Sequence, residues 1–164
     1  AADDIYRLHH WILKHSVYFL GIGGLDVELL DIMFGFNLDY DGNRDEIVAQ
    51  SLMSDSALGA LAGETTTGCI ECQPSMVVAL DDDCYLQARV SLETRSSDYQ
   101  VRTGRYDNEP ISIYLTIRRL PTPGKIMNMN ESLTEQCAIC EDICHRIVIP
   151  QIVRPIAVAI ASSP

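Results

Sequence analysis

The chain has 164 residues, and 12 Lys and Arg against 23 Asp and Glu leave a formal net charge of −11 at pH 7. That length suits one domain with an ordinary core that needs no metal or disulfide to fold, and 47% hydrophobic residues exclude general disorder. The acidic balance excludes a non-specific nucleic-acid binder, because neutralising phosphates needs a cationic face.

From the N-terminus, residues 3–15 have helical spacing, with Asp3 or Asp4 as cap and Ile5, Leu8, Ile12 and Leu13 near one face. Val17 to Ile22 is β-branched and aromatic and runs into Gly-Ile-Gly-Gly, the pattern of a strand ending in a turn. Residues 25–40 read as a short helix passing into a strand, because Phe34, Phe36, Leu38 and Tyr40 alternate. Asp41-Gly42-Asn43 is a turn, and Asn43 with Glu46 has the spacing of a helix cap and its returning carboxylate. The next helix carries Ile47, Val48, Leu52 and Leu58, and residues 62–68 are loop.

The middle of the chain alternates most clearly. Met76 to Leu80, Tyr85 to Thr94 and the segment holding Ile111, Ile113, Leu115 and Ile117 read as strands of a sheet with one wet face. Tyr99 to Tyr106 reads as an edge strand beside them. Residues 130–148 form a long helix, on which Leu133, Cys137, Cys140, Cys144 and Ile147 make a stripe at i, i+4, i+7, i+11 and i+14. Pro150 and Pro155 are expected to break or kink the chain beyond that helix. The fold class is therefore α+β: an antiparallel sheet of about four strands, helices on one face and a long C-terminal helix. Residues 1–146 are expected to be a single domain, and 147–164 an apolar C-terminal segment used as an interface.

Six cysteines include two CxxC pairs, Cys69/Cys72 and Cys137/Cys140. Two such pairs are a common way to give zinc four tetrahedral thiolates, so these four are the candidate metal ligands and zinc the candidate cofactor. Free cysteines also serve as small core residues, and the 137 − 72 = 65 residues between the pairs exceed the spacing of compact zinc modules. The segment Asn37 to Asp45 resembles a calcium loop but puts Val48 where a bidentate Glu belongs.

Ten of the 12 basic residues are Arg, and six of them fall between 89 and 119, whereas residues 26–46 hold seven acids and one base. Arg89, Arg102 and Arg118, with Ile152 and Ile156 in the apolar tail, are the candidate interface residues. No GxSxG, P-loop, HExxH or dinucleotide fingerprint is present. The function expected is a non-catalytic protein-interaction module, a subunit or adaptor that meets a protein partner or itself. The alternatives are a zinc-binding domain and an enzyme without a recognisable motif. No stretch of 18 residues is uniformly apolar, so no membrane span is expected. An acidic first segment and six cysteines without a small-scaffold pattern point to a cytoplasmic location.

Overall fold

The structure, a computed structural model, describes residues 2–163. In chain order it contains α1 (Ala2–Leu20), β1 (Leu30–Asp39), α2 (Arg44–Met53), α3 (Ala57–Ala62), β2 (Ser75–Ala79), β3 (Leu86–Glu93), α4 (Asp98–Thr103), β4 (Pro110–Arg119), α5 (Met129–Ile143), a π-helical segment (Cys144–Val153) and α6 (Arg154–Ser162). The strands form one antiparallel sheet in the order β1-β4-β3-β2, and α5 to α6 is one long helix, so the fold class is α+β.

Central position in the sheet explains the strongest sequence signal. Ile111, Ile113, Leu115 and Ile117 of β4 have no exposed surface, and each fully buried side chain of this kind stabilises by about 1.5–3 kcal/mol. On β3, Leu86, Ala88 and Leu92 are buried while Arg89 on the other face is exposed. β1 is an edge strand whose Leu30, Ile32, Phe34, Phe36 and Leu38 share the better-covered face. β2, the opposite edge, is exposed along its whole length.

The chain divides into two compact units. The first holds the chain up to Met33, Val77–Arg89 and Thr116–Asp142. Here Gln136 of α5, fully buried, donates Nε2 to the carbonyls of Leu30 (2.7 Å) and Ile117 (2.8 Å). A buried amide bonded to two strand carbonyls fixes the helix over the sheet. The second unit holds Phe34–Met76, Val90–Leu115 and the chain from Ile143 onward. In it α2 packs on both α3 and α6, and Ile47, Val48 and Ile156 are buried. The helix passes through residue 146 without interruption, where the sequence suggested a domain edge.

Four expectations need correction. Val17 to Leu20 continues α1 rather than forming a strand; all four side chains are exposed, so no sheet face acts on their weak β preference. Residues 25–29 are not helical, and β1 begins at Leu30. Tyr99 to Tyr106 is not a strand, since residues 98–103 form α4. There Ser97 and Gln100 make a reciprocal capping box, and Gly104, at φ 67°, closes the helix in the left-handed region. Pro150 does not end the C-terminal helix. The ring has no N–H and crowds the carbonyl four residues earlier; widening the turn to i→i+5 spacing accommodates it.

Candidate functional site: the exposed apolar face of the first helix

α1 is held to its own unit by one polar face. The Tyr6 hydroxyl donates to Glu141 Oε1 at 2.7 Å, and burial, reinforced by that carboxylate, pushes the Tyr6 phenol well above its usual range. His10 Nδ1 lies 2.9 Å from Asn130 Oδ1, and Thr134 Oγ1 lies 3.3 Å from His10 Nε2. Ser16 is buried and donates to the Leu13 and Ile22 carbonyls. Residues 6, 10, 13 and 16 therefore face inward.

The apolar residues face outward. Ile5, Leu8 and Trp11 are each 55% exposed, Ile12 is 44% and Phe19 is 74% exposed. Positions 5, 8, 12, 15 and 19 have the 3–4–3–4 spacing of a helix-pairing seam. Along one edge His15 stacks on Trp11 with ring centroids 4.5 Å apart and leans on Phe19 at 6.2 Å. Ile5, Leu8 and Ile12, which the sequence places near one face, are thus solvent-exposed, while Leu13, grouped with them, is half-buried. An amphipathic helix that turns polar groups inward and a continuous apolar stripe outward has the make-up of a docking surface.

The candidate interface residues are mostly engaged within the fold. Arg118 makes a two-pronged ion pair with Asp31, at 2.9 and 2.7 Å, and that pairing holds its guanidinium further above its usual range. Arg102 lies over the Tyr99 ring at 5.9 Å and, like Arg89, is exposed. Neighbouring arginines are also locally engaged: Arg95 with Glu93, Ser112 and Tyr114, and Arg119 with Glu135. Ile152 is half-buried, and Ile156 is fully buried in a unit where α6 packs on α2. Ile156 is therefore a core residue rather than an interface residue.

None of the six cysteines is in a disulfide. Cys137, Cys140 and Cys144 are buried and Cys84 is exposed. Cys69 and Cys72 lie half-buried on the loop after α3. Among the described residues, no group of three or more His, Cys, Asp or Glu side chains is placed to hold a metal ion. On α5 the thiols take positions a core Leu could hold. In the acidic loop Asn43 caps α2, and Asp45 points inward to accept the Thr94 hydroxyl at 2.6 Å and the Cys72 N–H at 2.7 Å.

Sequence reading missed one feature altogether. Arg44 and Asp45, adjacent and charged, are both fully buried. The Arg44 guanidinium donates to the backbone carbonyls of Thr94 (2.6 Å), Asp107 (2.8 Å) and Arg95 (3.4 Å). One helix, Met129–Ser162, is long and apolar enough by length and composition to cross a membrane, with mean hydropathy 1.5 over its most apolar 18 residues. A mostly buried core helix of a soluble protein meets the same test, whereas 17% of this window is buried, including inward-turned residues such as Val148 and Ile156.

No protein-family model matches the chain, and neither a curated protein nor a solved structure is similar to it.

Proposed function

We propose that the chain is a non-catalytic interaction subunit that associates with a second copy of itself through the exposed face of α1. The observation that carries this reading is the outward stripe Ile5, Leu8, Ile12 and Phe19, flanked by Trp11. Water contact with that much contiguous apolar surface is unfavourable, and pairing two such faces removes it. Of the arginines expected to form the interface, Arg118 is paired with Asp31 within its own unit, which favours α1 over that strand face.

Sedimentation equilibrium tests it. The wild-type chain should show twice its 18.2 kDa mass, and the double substitution Leu8→Glu/Ile12→Glu should return it to one chain with unchanged far-UV circular dichroism. A wild-type chain that stays at 18.2 kDa across the concentration range sinks the proposal. Flotation of that monomer with lipid vesicles would instead make a membrane the docking partner.

A further inference from the structure

β2 ends the sheet: β3 lies on one side of it, and among the described residues no strand lies on the other. Its register with β3 says which backbone groups face outward. The Leu80 N–H donates to the Leu86 carbonyl at 2.8 Å and the Leu92 N–H to the Pro74 carbonyl at 3.1 Å, so one register holds at both ends of the pair. In an antiparallel ladder the bonded positions alternate. Val78 therefore turns its backbone towards Ala88, as Leu80 does towards Leu86, while Val77 and Ala79 turn their N–H and C=O groups away from β3. Those outward groups are the donors and acceptors that an added strand uses.

Apart from its 5-residue length, the strand lacks the features that keep such an edge unoccupied. Ser75 to Leu80 holds no charge, proline or glycine, and Val77, Val78 and Leu80 are exposed. Val78 and Leu80 share the face of the buried Leu86 and Ala88, and Val77 lies on the opposite face. Both sides of the edge are thus apolar, so a strand laid beside it covers side chains on each face as well as satisfying the backbone.

Charge decides between occupants. β2 runs into Asp81-Asp82-Asp83, and Asp82 and Asp83 are exposed at the hairpin tip with no ion-pair partner among the described residues. Parallel pairing of β2 with a second copy would set the two acid triplets side by side. Antiparallel pairing centred on Val77 would carry Asp83 towards Glu71 of the other copy. Like charges so placed disfavour either arrangement, in a chain whose net charge is already −11. A basic segment meets no such repulsion.

We propose that the β2 edge binds an extended apolar peptide of a partner protein, laid antiparallel, with lysine or arginine at the peptide's N-terminal end against Asp82 and Asp83. Antiparallel addition puts that end beside the C-terminal end of β2, where the acids stand. Backbone bonds to Val77 and Ala79 set the register, β-branched side chains cover Val77 on one face and Val78 and Leu80 on the other, and the acids select the partner. The edge does not depend on self-association through α1.

Fluorescence polarisation with labelled Lys-Lys-Val-Thr-Val-Thr-Val tests it, on the full chain and on Leu8→Glu/Ile12→Glu. Both proteins should bind the peptide, and exchanging its two lysines for glutamates should weaken binding by about tenfold or more. Val77→Pro removes an outward N–H and leaves the bonds to β3 in place, so it should keep its far-UV circular dichroism and lose the peptide. Should Val77→Pro fail to fold, Asp82→Lys/Asp83→Lys decides, and it should prefer the glutamate peptide. No binding by the wild type at about 1 mM peptide overturns the proposal, as does equal binding of the two peptides or a folded Val77→Pro that binds like the wild type. Binding lost in Leu8→Glu/Ile12→Glu would place the peptide on α1 instead. A wild-type dimer that Val77→Pro returns to 18.2 kDa would give the edge to a second copy, and either result also overturns it.

Discussion

Arg44 Nε lies 2.6 Å from the Thr94 carbonyl oxygen, and neither residue has any exposed surface. The same guanidinium reaches the carbonyls of Arg95 and Asp107, so one side chain gathers the start of the loop after β3 and the segment after α4 onto the start of α2. Replacing it with an apolar residue of similar length leaves those carbonyls unsatisfied. Arg44→Met should therefore destabilise the chain by about 3 kcal/mol or more in urea unfolding. A loss below about 1 kcal/mol would mean that water takes over the three carbonyls.

Gly68 is a position where geometry leaves no alternative. Its φ of +139° disfavours any side chain, and an added Cβ would lie 2.9 Å from Asn43 Nδ2 and 3.0 Å from Glu46 Oε2, both tied to Cys69. Gly68→Ala should cost about 1–3 kcal/mol and speed hydrogen exchange at the Cys69 and Cys72 amides. Unchanged exchange at both would show that the loop is held by other means.

Burial, then the neighbouring Cys69 and Asp45, push the Cys72 thiol up to about 11, with a consequence for alkaline stability. The folded chain favours the protonated form, so the contribution is complete below the ordinary thiol value of 9.0 and is lost as pH rises through about 11. Cys72→Ser lacks this titration. The stability difference between wild type and Cys72→Ser should accordingly shrink, in the direction of a weaker wild type, between pH 9 and about 11. Parallel unfolding curves for the two proteins across that range would contradict it.

Ile156 sits at 0% exposure, so its truncation should be felt within the fold and not in assembly. Ile156→Ala should lower stability by about 2–5 kcal/mol, with no change in the association state of whatever remains folded. A stable variant with an altered sedimentation mass would return the residue to an interface.

How much of the fold was legible in the sequence depends on where each signal resides. Alternation on β4 and β3 survives because those strands sit inside the sheet, where burial and period reinforce one another. Asn43 was readable because a cap is local chemistry, whereas the Glu46 carboxylate, read as returning to the cap, accepts the Cys69 N–H instead. Val17 to Leu20 misled, because β-branched and aromatic residues report only a weak backbone preference. In residues 97–104 the capping signals Ser97, Gln100 and Gly104 were present but were outweighed by the aromatic residues at either end. Arg44 and Asp45 could not be read as buried, since only contacts tens of residues away satisfy them. On α1, Ile5, Leu8 and Ile12 do share one face, although Leu13, grouped with them, is half-buried and Phe19 was left out; spacing alone does not say whether such a face meets the chain's own core or something beyond it.

The π-helical segment has a different kind of consequence. At 100° per residue the stripe from Leu133 through Cys144 falls equally near Ile147 and Val148, and Val148 is the one fully buried, with Ile147 39% exposed. Ile156 would lie far from that stripe on an uninterrupted α-helix, and the wider turns of the π-helical segment bring it to a buried position. Helix length and helix phase are thus coupled here: deleting one residue between 144 and 153 would rotate all of α6 by about 100°, swinging Ile156 towards solvent. This stretch should tolerate substitutions far more readily than any change in its length.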